Sequence, residues 1–111
     1  MKIILRFRAE NKDIFEAIRS GNKKVETRAG SPRYFNIKIG DVLVFVCGKD
    51  KFEKKVKNVS KFKSIKALHE IYKPVEINSQ TKTIQESKSM YYSFPGYREK
   101  IKKYGIIALE I

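Results

Sequence analysis

The sequence predicts a small α+β domain, a single mixed sheet curled into a barrel with short helices flanking it. Two observations carry this. Strand-like apolar segments lie at both ends, Lys2 to Arg8 and Gly105 to Ile111, with a continuous apolar run from Val42 to Val46 between them. The intervening stretches space their apolar residues at helical intervals and are punctuated by Gly, Pro and Asn. At 111 residues the chain is long enough for one modest core and too short for two, so residues 1–111 are expected to form one domain.

Each element has its own warrant. In residues 2–8, Ile3, Leu5 and Phe7 alternate with Lys2, Arg6 and Arg8, the pattern of a half-buried strand. Asn11 is placed to cap a helix through Arg19, with Asp13 in its first turn and Ile14, Phe15, Ala17 and Ile18 as its buried stripe. Gly21 ends that helix, and a strand follows over about residues 24–27. Residues 29–36 read as a loop. Gly40-Asp41 turns into the apolar strand, and Gly48 to Lys51 turns back into one long return strand from Phe52 to Lys63, whose interleaved lysines give it a wet face. Ser64 caps a helix through Tyr72 that Pro74 ends. Residues 75–82 read as loop, Thr83 to Ser93 as helix, and residues 97–103 as a short amphipathic segment before the last strand.

Charge is the strongest compositional fact. The formal net charge is +13, and the cations are 19 Lys against 6 Arg. Such a field attracts phosphate, with lysine supplying it less specifically than arginine would. AT-rich genomes and heat adaptation also enrich lysine. The lone Cys47 excludes an intramolecular disulfide and fits a reducing compartment. No apolar stretch is long enough for a membrane span, and the charged first strand does not read as a signal peptide. The expectation is a cytoplasmic monomer without membrane association. His69 is the only histidine, without partners at ligand spacing, so no metal site is expected. Phosphate loops, nucleophile elbows and dinucleotide fingerprints are absent, and nothing calls for a cofactor.

The chemistry concentrates in Gly21-x-Lys23-x-x-Glu26-x-Arg28. On a strand, Lys24, Glu26 and Arg28 share one face and Val25 and Thr27 the other. Cations and a carboxylate on one face suit an anion or a polar heterocycle; an edge strand guarded by solvated charge gives the same pattern. Stacking aromatics would complete such a site, with Tyr34, Phe35, Tyr91, Tyr92, Phe94 and Tyr97 available and Tyr34 and Tyr92 foremost. Eight lysines between Lys49 and Lys66 offer either a backbone-tracking surface or a solvated strand face.

This string, followed by Arg33, Ile39-Gly40-Asp41 and an apolar strand, resembles an ASCH domain, and Tyr104 to Ile111 is similar to the closing strand of that family. The resemblance spans essentially the whole chain. It implies a PUA-like fold, a small β-barrel of about five to six mostly antiparallel strands with flanking short helices, and a basic cleft that binds RNA or a modified nucleoside. Lys23, Glu26 and Arg28 carry over as cleft residues and Arg33 as a further contact, with Lys24, Tyr34 and Tyr92 added from the residue pattern. One ASCH branch hydrolyses N4-acetylcytidine with a lysine, a threonine and a glutamate; others are linked to ribonuclease activity. An enzymatic reading makes Lys23 the reactive group beside Glu26. For the N4-acetylcytidine branch, Glu26 stands at the threonine position, which removes that hydroxyl, and the glutamate falls to Glu76 or Glu86; for a ribonuclease, Ser93 or Tyr92 supplies the hydroxyl beside the lysine. A protein-interaction module facing an acidic partner is the third class. The expected partner is RNA or a modified nucleoside.

Overall fold

Thirteen short elements build two sheets and a helical layer, and a computed structural model describes all of residues 1–111. Strand β1 (Lys2–Arg6) leads through a 3₁₀ turn (Ala9–Asn11) into helix α1 (Lys12–Ser20) and strand β2 (Val25–Ala29). After α2 (Pro32–Phe35) come β3 (Val42–Cys47), β4 (Asp50–Lys55) and β5 (Asn58–Phe62). Helices α3 (Ile65–Ile71), α4 (Pro74–Ile77), α5 (Ile84–Ser93) and α6 (Tyr97–Tyr104) precede β6 (Ile106–Glu110).

The expected closed barrel is corrected here. The strands form two three-stranded sheets, ordered β1-β3-β4 and β2-β6-β5, and neither closes. The expected return strand over residues 52–63 is two strands that belong to different sheets. The switch is abrupt: the Val56 N–H bonds the Asp41 carbonyl at 2.8 Å, while the Lys57 N–H bonds the Glu110 carbonyl at 2.7 Å. Pairing is antiparallel except between β1 and β3. Two segments expected as loops each hold a single helical turn, α2 and α4, both with proline in the first turn, where its missing N–H costs nothing.

Side chains of β2 and β6 are buried on both faces of their sheet. Ile107 and Leu109 of β6 join Leu5, Leu43, Phe45, Phe15 and Ile18 in a core between the two sheets and α1. Ile106 and Ala108 turn the other way, into a second core with Ile65, Leu68, Tyr91 and Ile101 of the helical layer. The first core is aromatic: Phe45 stacks on Phe52 at 4.9 Å, and Phe15 meets Phe52 at 4.9 Å. Cys47 is buried there. Caps fix the helix starts as expected at two places. Ser64 Oγ accepts the Ala67 N–H at 3.1 Å, and Thr83 and Glu86 form a reciprocal capping box on α5. Asn11 stands before α1 without a side-chain cap bond.

One glycine is fixed by close approach. Gly105 turns the chain from α6 into β6 at φ 74°, and a Cβ there would lie 2.2 Å from the Phe62 carbonyl oxygen. Gly105→Ala is therefore expected to cost about 2 kcal/mol, read as a lowered midpoint in chemical denaturation. A midpoint equal to wild type would mean that β5 and α6 part readily at this point.

Candidate functional site

Where the two cores meet, beside edge strand β2, the fold leaves a cavity of about 610 Å³. Its floor is β2, its rim the end of β1 and the 3₁₀ turn, and its far wall α4 and the α5–α6 junction. Three charged side chains meet inside it. Gly21 closes α1 at φ 87°, and the Lys23 N–H returns to the Ala17 carbonyl at 2.9 Å. That bond anchors Lys23 at the helix end, and its ammonium donates to the Ile77 carbonyl and lies 3.6 Å from Glu26 Oε1. Arg28 Nη2 stands 3.3 Å from Glu26 Oε2. An edge strand leaves one row of backbone groups without a partner strand, and the Glu26 carboxylate takes the Thr27 N–H at 3.1 Å.

Glu26 is only 5% exposed, so these are not the solvated charges of a guarded edge. A buried carboxylate survives when cations and donors surround it, as Lys23, Arg28 and the Thr27 amide do here. Burial lowers the Lys23 pKa below the ordinary lysine value, with Glu26 pulling it back only in part. Burial acts on Arg28 in the same sense, but Glu26, with Tyr97 and Tyr34, outweighs it and the net shift is upward. The Arg28 guanidinium also lies over the Phe7 ring, 5.1 Å from its centroid.

The walls are aromatic and neutral. Phe7, Tyr91, Phe94 and Tyr97 line the cavity with Met90 and Ile77. Burial pushes the Tyr91 and Tyr97 phenols upward, so both stay protonated. Tyr91 shares its hydroxyl with Thr27 across the strand. Phe94 meets Tyr97 edge to face at 5.3 Å. A flat ligand would thus find ring faces, a carboxylate acceptor and cationic donors together.

The predicted residues divide sharply. Lys23, Glu26 and Arg28 line the cavity. Lys24 is exposed and outside it. Arg33 lies on the surface, where Nη2 donates to the Ile4 carbonyl at 3.2 Å. Tyr34 sits behind the site, its ring 6.0 Å from the Arg28 guanidinium. Tyr92 is 38% exposed on the outer side of α5, flanked by Lys88 and Arg98. Glu76 and Glu86 serve as helix caps, accepting the N–H groups of Lys73 and Thr83 respectively, and neither lines the cavity. Ser93 does line it, with its hydroxyl given to the Met90 carbonyl. His69 is structural: its ring bridges the Tyr72 carbonyl at 2.8 Å and Ser87 Oγ at 2.6 Å, tying α3 to α5. Sequence reasoning missed Arg6, Phe7, Arg8, Thr27 and Asn78 among the lining residues. Phe7 carried a signal as the apolar residue that prolongs β1, and Arg6 and Arg8 as cations alternating with it.

No helix is long and apolar enough to cross a membrane. No protein-family model and no curated protein matches the chain. Solved structures do, among them two that align over nearly the whole chain. Hypothetical protein PH0355 is 32% identical with a TM-score of 0.83, the match covering 99% of this chain and 96% of that one. Protein PF0455 from Pyrococcus furiosus, solved in solution, is 30% identical with a TM-score of 0.76, over 99% of this chain and 94% of its own. With identity at this level over nearly full length, the chain belongs to the family of hypothetical protein PH0355 and protein PF0455.

Proposed function

We propose that the cavity beside β2 binds a single nucleoside unit, free and modified or carried in RNA, in the manner that the resemblance to ASCH domains implies. One observation carries it: Lys23, Glu26 and Arg28 converge as a buried ion chain inside an aromatic-walled cavity of about 610 Å³. Phe94 or Tyr97 stacks the base, Glu26 accepts from an amino edge or a ribose hydroxyl, and Lys23 and Arg28 donate to carbonyl or phosphate oxygens. Nothing in this depends on a closed barrel. The buried Cys47 is compatible with work in the reducing cytoplasm.

Hydrolysis by Lys23 is the second reading, favoured by the lowered pKa of its ammonium. The partners it needs are not assembled. Glu76 and Glu86 are caps, Tyr92 lies outside the cavity, and Ser93, which lines it, gives its hydroxyl to the Met90 carbonyl. Binding is therefore the better supported function. Titrating labelled single-stranded RNA and N4-acetylcytidine, then weighing the mixtures by mass spectrometry, separates the two. Saturable binding with intact ligand is the expected result, a new product mass makes the protein a hydrolase, and no binding by either ligand rejects both.

Lys23 also sets a pH dependence. Its proton leaves at a lower pH than that of an ordinary lysine, so affinity is expected to be level below that point and to fall as pH rises through it. Lys23→Arg should carry the fall to higher pH. Stability runs the other way in the same window, because the unfolded chain holds the proton where the fold has released it, and ΔG of unfolding rises with pH. Parallel binding and denaturation series between neutral and alkaline pH check both signs.

A further inference from the structure

We propose that the ligand carries a phosphate ester, seated at the mouth of the cavity between Arg6 and Arg8, with the base directed inward to Glu26. This rests on the nucleoside-binding reading above and deepens it. Four cations line the cavity against two carboxylates, and their placement is uneven. The inner pair, Lys23 and Arg28, already shares Glu26, and Lys23 gives a further N–H to the Ile77 carbonyl. At the rim the balance differs. Arg6, the last residue of β1, makes no ion pair. Arg8 meets only Glu10, at 3.5 Å between two largely exposed side chains. An exposed pair of this kind contributes little and is screened by salt, so a phosphate oxygen displaces the carboxylate with a net gain in charge-assisted hydrogen bonds.

The two arginines sit two residues apart, so on an extended backbone their side chains share one face, about 7 Å apart at the Cα atoms, a span that forked guanidiniums close on one phosphate. Arg6 and Arg8 line the same cavity as Phe94 and Tyr97, the rings that stack the base in the reading above. A neutral nucleoside fills the interior and leaves the rim cations without a partner. A free nucleotide or one unit of an RNA chain satisfies both.

The test compares nucleosides with their 5′-monophosphates for all four bases, alongside inorganic phosphate and a dinucleoside monophosphate, by calorimetric titration of the whole protein. At least one base is expected to bind tenfold or more tightly as the monophosphate. Arg6→Gln should cut that ratio to within twofold, while Lys51→Gln, a lysine of β4 outside the cavity, should leave it intact. Tight binding of the dinucleoside monophosphate points to the diester of a chain, and preference for the monophosphate to a free nucleotide.

Equal affinity for nucleoside and monophosphate overturns the phosphate seat and leaves nucleoside binding standing. An equal loss in Lys51→Gln also overturns it, because the preference would then come from the net positive field. Inorganic phosphate binding as tightly as the nucleotides overturns the inward base. If no nucleoside, nucleotide or dinucleotide binds, the reading beneath this proposal fails and the proposal falls with it.

Discussion

Glu26→Ala is expected to lower stability by about 3 kcal/mol, on the order of 12 °C in melting temperature for a domain of this size. Lys23 and Arg28 are both drawn into the interior by one carboxylate, at 3.6 and 3.3 Å. Without it, two buried like charges face each other and the Thr27 N–H loses its acceptor. The two cations are largely out of water, so solvent does not screen the loss. Lys23 would respond by releasing its proton at still lower pH, which recovers part of the cost. Replacing the whole set, Lys23→Met with Glu26→Leu and Arg28→Met, should restore most of the lost stability, since an apolar set of like volume often matches a buried ion chain. The same triple variant should bind no ligand. Recovery of stability without binding would mean that the charges are there for recognition. Thermal melts that rank the single variant equal to wild type would mean that water reaches Glu26 freely.

Lys23→Met is expected to weaken nucleoside or RNA binding by roughly 10- to 100-fold, the ~1.5–3 kcal/mol of one charge-assisted hydrogen bond. Methionine keeps the apolar stem and removes only the ammonium. Stability should change by about 1 kcal/mol or less, because relief of a desolvated charge offsets the donor lost to Ile77. Anisotropy titration gives the affinity and a denaturation curve the stability. A large stability loss with unchanged affinity would make Lys23 a strut between β2 and α4.

Local elements were legible because their signals are local. The apolar spacing of α1, the Ser64 and Thr83 caps and the continuous run of β3 each sit within a few residues. Sheet membership was not, because it depends on partners far along the chain. β6 takes both β2, near the start of the chain, and β5, in its middle. The break at Val56-Lys57 left one trace. Phe52 and Val56 keep even spacing, while Val59 and Phe62 do not, and that phase shift is what a strand packed against a different core on each face produces. Val59 joins the first core and Phe62 the second.

At the site, strand alternation brought Glu26 and Arg28 to one face correctly. It could not say that the face is buried or that Lys23 would reach the Ile77 carbonyl 54 residues away. Tyr92 and Tyr97 look alike in sequence. On α5 the adjacent Tyr91 takes the inward face, so Tyr92 is turned outward between Lys88 and Arg98, while Tyr97 at the start of α6 enters the cavity. Arg33 drifted to the surface because α2 takes up part of its loop and turns it toward the free edge of β1.

The most direct measurement is a titration of isotope-labelled protein with a nucleoside monophosphate, followed by amide chemical shifts. Saturating shifts are expected at Lys23, Glu26, Thr27, Arg28, Phe94 and Tyr97, with the lysines of β4 unmoved. Shifts spread over Lys51, Lys54 and Lys55 with a silent cavity would contradict this, and would make the protein a polyanion binder through surface charge alone.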